Sequence, residues 1–272
     1  MKLNKLLSSI CGPFCSGLSI LLFALLLIPK TGVAQAITAR KTHILVLIDR
    51  SGSVHFDASK VSKLIAPQIN SMHVAGDALG VAYIHSQTNA NAEQLSVEAA
   101  LPTDYATRGG ATQQNMMMEF DEQLQEELSR MNTKLRKMLA QAADVNVRQS
   151  SDIWGSLATV DTFFRNASVN DNCMVFIISD MVESMSGKER RDFHVKHPQN
   201  DATTLKQMAA TDVPKIRSIY GLNGKMPLAK VDRLTVLFPA SGVQQSQNNA
   251  MTQYWTTVFE LLGLPRQRLL FQ

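Results

Sequence analysis

The sequence predicts an α/β fold with a doubly wound, mostly parallel central sheet and helices on both of its faces. Two segments, Thr42–Ile48 and Cys173–Ile178, are short apolar runs with β-branched residues, as expected of strands that are buried on both faces. Helical patterns occupy the intervals between the predicted strands, and this alternation is typical of doubly wound sheets. With 45% hydrophobic and 18% charged residues among its 272, the chain can bury one substantial core.

The first 36 residues have the order of a secretory signal peptide. Lys2 and Lys5 come before an apolar run, Leu18–Ile28, and the small-residue sequence Ala34–Ala36 then supplies a cleavage site. We therefore predict an exported protein, periplasmic or secreted, with residues 37–272 as its mature domain and no membrane span after cleavage. The alternative is an uncleaved membrane anchor, although the apolar run is shorter than the about 20 residues that cross a bilayer.

The first predicted helix, Asp57–Asn70, follows the first strand and carries an apolar stripe on one side. The residues of this stripe are Val61, Leu64 and Ile65. Further along the chain, Ala78–His85 and Gln94–Leu101 are predicted as two strands separated by a polar stretch. We expect this pair to form a hairpin at one edge of the sheet.

A long helical segment between Thr112 and Ala143 forms an insertion in the alternating pattern. Its acidic residues come early and its basic residues late, which suits the helix macrodipole. A straight helix of this length would measure about 50 Å, so we expect it to project beyond a compact domain or to break near Asn132–Thr133. Its apolar stripe favours packing within the domain, and the alternative is coiled-coil association between chains.

Four further elements follow the long helix. A helix is predicted to begin near Ser151, because apolar residues recur after it at helical spacing. Arg233–Phe238 is predicted as another strand, and Asn249–Leu262 as the last helix. The segment Thr204–Tyr220 has a helical pattern that Pro214 should break or kink, because proline lacks the amide hydrogen that a helix uses.

The first strand ends in a tight loop, Asp49–Ser53, which places one carboxylate and two hydroxyls just before a helix. Open α/β sheets bind their ligands at this edge, where the strands end. Alternate residues of such a loop can turn the same way, so Asp49, Ser51 and Ser53 can converge while Gly52 permits the turn. Oxygen ligands of this kind suit Mg²⁺, Ca²⁺ or Mn²⁺.

Two other segments should bring oxygen atoms to the same edge of the sheet. Ser150 and Ser151 precede a predicted helix, and Asp180 follows the second central strand. Each short motif alone is also compatible with a helix cap or a turn, and the pattern leaves open whether Ser150 or Ser151 faces an ion. In this order, and each at its expected boundary, the three motifs together predict one metal site.

This combination resembles the metal-ion-dependent adhesion site of the von Willebrand factor A family. The matching features are Asp-x-Ser-x-Ser after an apolar strand, a hydroxyl residue before a helix, and Ser-Asp after another apolar strand. The resemblance covers the chain from about Thr42 to the C-terminal region. It implies that Ser51 and Ser53 contact a divalent cation directly, and that Asp49 and Asp180 do so directly or through water.

The resemblance also implies a binding protein that performs no catalysis. The bound ion, expected to be Mg²⁺ with Mn²⁺ or Ca²⁺ as alternatives, would keep one coordination position open for a carboxylate of a protein partner. Ser151 takes the position at which the family has a threonine, which preserves the hydroxyl. Met181 stands where a glycine often follows the aspartate of the third motif.

Other functions have weaker support in the sequence. The chain could be an assembly component that oligomerises through its long helix, or a magnesium-dependent hydrolase with Asp49 as phosphoryl acceptor. Phosphatases of the haloacid-dehalogenase type, however, carry a second aspartate two residues on, where this chain has Ser51. Without the three lysines of the leader, 24 of the 27 basic residues remain against 23 acidic ones, so nothing favours nucleic acid as a partner.

His194 and His197 lie in a polar segment, Ser186–Asp201, which we predict to be an exposed loop. A zinc site is the alternative, but the segment lacks a third strong ligand at a regular spacing. Because the segment follows Asp180, it should lie beside the proposed metal and help to select the partner.

Overall fold

The computed structural model describes residues 40–86, 88, 91–144, 150–196, 201–239 and 245–272. The strands are β1 Thr42–Asp49, β2 Ala78–Ile84, β3 Glu93–Ser96, β4 Asn172–Ile178, β5 Arg233–Leu237 and β6 Leu269–Phe271. They form one sheet in the order β3-β2-β1-β4-β5-β6, parallel throughout except for the antiparallel pair of β2 and β3. The predicted signal peptide, residues 1–36, lies outside the described residues.

The helices are α1 Ala58–Ile69, α2 Gly110–Ala143, α3 Ile153–Phe163, α4 Ala202–Ile219 and α5 Gln245–Leu261. Side chains of β1 alternate between two cores, as the period of a strand requires. Ile44, Val46 and Ile48 pack with α1 and α2, whereas Leu45 and Leu47 pack with α3, α4 and α5. Helices therefore cover both faces of the sheet, which confirms the predicted fold class. Within the described ranges, no helix combines the length and the apolar character that a bilayer span requires.

The order of the strands reverses between β1 and β4. From β1 the chain proceeds through β2 to β3 in one direction, and from β4 through β5 to β6 in the other. The two strands pair in parallel register, with Ile48 opposite Ile178, so their carboxyl ends lie side by side. Such a switch point leaves a crevice beyond the strand ends, and open α/β sheets bind ligands there.

The edge hairpin is confirmed, although its second strand is shorter than predicted. β2 and β3 pair in antiparallel fashion, and β3 ends at Ser96 instead of Leu101. β6 at the opposite edge was not predicted. In α1 the buried stripe runs through Val61, Ile65 and Ile69 at intervals of four, so Leu64 falls beside the stripe and is 55% exposed. The prediction that Leu64 belongs to the same stripe as Val61 and Ile65 was therefore wrong.

The long helix α2 is continuous, so the predicted break near Asn132–Thr133 does not occur. Asn132 is buried, and its side-chain amide donates hydrogen bonds to the Leu128 carbonyl and to Asn70 Oδ1, both at 2.9 Å. The buried residues of α2 begin only at Leu124, which leaves the first turns of the helix without buried side chains. A helix of about 50 Å is accommodated because only its later part packs on the sheet.

Helix α4 also continues past Pro214, so of the predicted break or kink the break does not occur. Pro214 lies inside α4, and buried side chains occur on both sides of it, including Leu205, Val213 and Ile216. Proline costs a helix one hydrogen bond, but packing on the core holds the two parts together.

Candidate metal centre

Asp49 is the last residue of β1, and its carboxylate is fully buried at the switch point. Oδ1 accepts a hydrogen bond from the Ser51 amide at 2.8 Å. The Ser151 hydroxyl lies 3.0 Å and 3.1 Å from the two carboxylate oxygens, and the Ser179 hydroxyl donates to Oδ2 at 2.7 Å. Donors from three separate segments thus surround one carboxylate.

The loop after β1 brings its two serines together, as the spacing predicted. The hydroxyl oxygens of Ser51 and Ser53 lie 3.1 Å apart. Ser51 is buried beside Asp49, whereas Ser53 is exposed. A turn follows, in which the Val54 amide donates to the Ser51 carbonyl at 3.1 Å, and α1 begins after its cap residue Asp57.

Ser151 lies two residues before α3 and is buried against Asp49. Its neighbour Ser150 is exposed. The cap of α3 is Asp152, whose Oδ1 accepts a hydrogen bond from the Gly155 amide at 2.8 Å. Of the two serines that the sequence left open, Ser151 is therefore the one whose hydroxyl reaches the carboxylate of β1.

Asp180 follows β4 and is also buried. Its Oδ1 accepts a hydrogen bond from the Val182 amide at 3.0 Å. The next residue, Met181, has a φ of 61° and is fully buried. A left-handed conformation favours glycine, so the methionine at this position has a strained backbone. The Met181 carbonyl accepts a 2.7 Å hydrogen bond from the Trp255 indole.

Burial and mutual repulsion disfavour the state in which Asp49 and Asp180 are both ionised. Burial raises the pKa of Asp49 to about 6, with a further contribution from the Asp180 charge and an opposing one from its hydrogen bonds. Burial likewise raises the pKa of Asp180, against the effect of hydrogen bonds from Val182 and Ser53 and of the nearby His194. Among the described residues, neither carboxylate forms an ion pair with a lysine or arginine.

These residues fit a hard divalent cation. Two buried carboxylates without a cationic partner would gain from a positive charge, and the adjacent hydroxyls are neutral oxygen ligands that suit Mg²⁺ or Mn²⁺. No group of three or more His, Cys, Asp or Glu side chains in the described segments is arranged to hold a metal ion. An ion at the switch point would therefore depend on the serine hydroxyls.

A crevice of about 490 Å³ opens above this cluster. Its lining residues are Ser51, Gly52, Ser53, Ser150, Ser184, Asp192 and His194. His194 is exposed, as predicted for its loop, and it lines the crevice together with Asp192. His197 falls outside the described residues.

A second polar cluster, which sequence reasoning missed, lies behind the crevice. Arg190 donates to Asp152 Oδ1 at 2.6 Å and to Glu183 Oε1 at 2.8 Å, and it also donates to the Tyr220 hydroxyl. Burial raises the pKa of Glu183 to about 8, helped by the Asp152 charge and opposed by Arg190. The one feature of the sequence that could have indicated this cluster is an acidic residue, Glu183, shortly after the apolar strand β4.

No protein-family model matches the sequence, and no curated protein matches it. Among solved structures, the chain is similar to the pilus adhesin SpaC of Lactobacillus rhamnosus GG, in its open conformation and in a second structure of the same adhesin. The identity is 11%, the TM-scores are 0.44 and 0.41, and the match covers 86% of this chain but 28% of the adhesin. The chain is also similar to the manganese-loaded TRAP protein of Plasmodium vivax. That match has 14% identity and a TM-score of 0.35, and it covers 78% of this chain and 62% of the other. The chain thus spans only part of the length of either protein, and likeness at this level carries no functional inference.

Proposed function

We propose that this chain is an exported member of the von Willebrand factor A class that binds a protein partner through a divalent cation. The cation would be held by Asp49, Ser51, Ser53, Ser151 and Asp180. Mg²⁺ is the expected ion, with Mn²⁺ or Ca²⁺ able to replace it. One coordination position would face the crevice and accept a carboxylate from the partner.

The observation that carries this proposal is the meeting of three chain segments at the switch point of the sheet. Asp49 ends β1, Asp180 follows β4, and the hydroxyl of Ser151 lies 3.0 Å from Asp49 Oδ1. Oxygen ligands from separate segments, gathered at the base of an open crevice, suit an ion that is held by the protein and shared with a partner.

The alternatives have less support. Ser51 stands two residues after Asp49, where a phosphoryl-transfer site of the haloacid-dehalogenase type would need a second aspartate. The apolar stripe of α2, which an assembly component would use for oligomerisation, is buried in the chain's own core at Leu128, Leu135 and Met138. Binding through the crevice therefore remains the better supported function.

Crystals of the protein soaked in Mn²⁺ and acetate test the proposal. We expect an anomalous peak within about 2.5 Å of oxygens from all three segments, since that is the range of such bonds. We also expect an acetate oxygen on the coordination position that faces the crevice. A peak elsewhere, or an ion fully enclosed by protein oxygens, would contradict the proposal.

A further inference from the structure

We infer that Glu183, Ser184 and Arg190 are positioning residues that hold Ser151 where the cation needs it. This inference rests on the proposed function and adds residues that lie outside the five proposed ligands. All three belong to the segment between β4 and α4, which we call the clamp segment, Glu183–Phe193. The clamp segment contacts the beginning of α3 through its backbone, a hydroxyl, a carboxylate and a guanidinium.

Ser184 fixes the backbone of Ser151 from both sides. The Ser151 amide donates to Ser184 Oγ at 2.6 Å, and the Ser184 amide donates to the Ser151 carbonyl at 3.1 Å. These two bonds restrain the peptide groups before and after Ser151. A hydroxyl that points at Asp49 from a loop needs such restraint, because the direction of its Cα–Cβ bond is set by the backbone.

Glu183 holds the first turn of α3, which follows Ser151 directly. Its Oε2 accepts hydrogen bonds from the amides of Ile153 at 2.8 Å and Trp154 at 3.0 Å. These amides have no partner within the helix, so Glu183 satisfies donors that would otherwise be left unbonded. Glu183 is fully buried, so its position leaves little freedom to the turn that it caps.

Arg190 joins the two carboxylates at this helix end. It contacts Glu183 and the cap residue Asp152, and its guanidinium lies over the rings of Trp154 at 5.5 Å and Tyr220 at 5.3 Å. Buried ion pairs give little net stability over apolar packing, but breaking one strands a buried charge. The consequence of this cluster is therefore a fixed geometry at the start of α3.

The other end of the clamp segment is attached to α4 and α5. Arg191 forms two hydrogen bonds with Asp212, at 2.7 Å and 2.9 Å, and Tyr254 donates to the same carboxylate. Phe193 is buried, and its amide donates to the Glu183 carbonyl at 2.8 Å. The clamp segment is thus anchored independently of α3, so it can hold Ser151 against a rigid support. Groups that orient metal ligands from behind in this way commonly change metal affinity about 10-fold to 100-fold when removed.

The test compares the wild-type protein with Ser184→Ala, Ser184→Thr and Arg190→Met. Ser156→Ala is the matched control, because Ser156 is a buried serine of α3 whose hydroxyl bonds the Ile153 carbonyl. Two quantities are measured for each protein: the dissociation constant for Mn²⁺ by calorimetry, and hydrogen exchange of the Ser151, Ile153 and Trp154 amides in the metal-free protein. The exchange measurement needs no bound metal.

We expect Ser184→Ala to weaken Mn²⁺ binding by about 10-fold or more and to speed exchange of the Ser151 amide. Ser184→Thr, which keeps the hydroxyl, should restore both quantities, and Ser156→Ala should leave the affinity unchanged. Arg190→Met, at a residue that does not line the crevice, should speed exchange of the Ile153 and Trp154 amides and weaken Mn²⁺ binding.

Two results would overturn the inference. In the first, the Ser151 amide of Ser184→Ala exchanges faster, but the variant binds Mn²⁺ as the wild type does. The position of Ser151 would then have no effect on ion binding. In the second, the affinity falls while exchange is unchanged, so Ser184 acts on the ion directly. A wild-type protein that binds no Mn²⁺ would instead defeat the proposed function itself.

Discussion

The hydroxyl of Ser179 donates a 2.7 Å hydrogen bond to Asp49 Oδ2 and so joins the carboxyl ends of the two central strands. The same hydroxyl accepts a 2.9 Å hydrogen bond from the Met181 amide, which fixes its direction. Asp49 and Ser179 are both fully buried. Ser179 therefore stabilises the charged form of Asp49.

Replacing Ser179 by alanine should raise the pKa of Asp49 further, because the Ser179 hydrogen bond is among the influences that lower it. Mn²⁺ binding should then begin at a higher pH than in the wild type, since a proton competes with the ion for Asp49. Titrations with Mn²⁺ between pH 5 and 8, at roughly half-unit steps, measure this shift. Equal pH profiles for both proteins would show that Ser179 does not control the charge of Asp49.

The stability of the metal-free protein should fall as pH rises across the titration of Asp49. The pKa of Asp49 is raised by burial from 3.8 to about 6, so the folded state binds more protons than the unfolded state between these values. The stability that Asp49 contributes is fully present below this window, and the free energy of unfolding falls by about 3 kcal/mol as the pH rises across it. Urea denaturation in the presence of a chelator measures the trend.

Asp49→Asn is the control for this trend, because the amide does not titrate. Glu183, whose pKa is also raised by burial, remains in both proteins, so its titration cancels in the comparison. The pKa of Asp180 should fall in Asp49→Asn, because the charge that repels it is removed, and this adds to the expected difference. We expect a smaller fall in stability between pH 4 and 6 for Asp49→Asn than for the wild type. Parallel curves would contradict the assignment of this titration to Asp49.

Met181 combines an unfavourable backbone with favourable packing, and two substitutions separate these effects. Met181→Ala keeps a Cβ at φ 61° but removes a fully buried side chain, which should cost about 2–5 kcal/mol. Met181→Gly loses the same packing and also relieves the left-handed strain. The glycine variant should therefore be about 1–2 kcal/mol more stable than the alanine variant, although less stable than the wild type. Denaturant melts in which Met181→Ala is more stable than Met181→Gly would show that the backbone at this position is not strained.

The central strands could be predicted from the sequence because strands buried on both faces are continuous apolar runs. β6 could not, since Leu269–Phe271 is three residues long and shows no periodic pattern. Where a break in α2 was predicted, Asn132 instead bonds to Asn70, a contact across 62 residues that no local pattern reveals.

The candidate site, too, has a part that could be predicted from the sequence and a part that could not. Asp49, Ser51 and Ser53 converge as their alternate spacing predicted, because they lie in one short loop at a strand end. The roles of Glu183 and Arg190 arise from burial against α3, and the sequence places these two residues in an otherwise polar loop. Local motifs therefore indicate the proposed ligands, whereas the residues that orient them become visible only in the folded chain.

The most direct test of the account is a calorimetric titration of Mn²⁺ into the wild-type protein and into the double variant Ser51→Ala with Ser53→Ala. These hydroxyls, 3.1 Å apart, are proposed to contact the ion, while the carboxylate of Asp49 and its other hydrogen bonds are kept. Ser59→Ala, at an exposed serine of α1, serves as control. The account predicts one Mn²⁺ site in the wild type and the control, and loss of that site in the double variant with the fold retained. Unchanged Mn²⁺ binding in the double variant would contradict it.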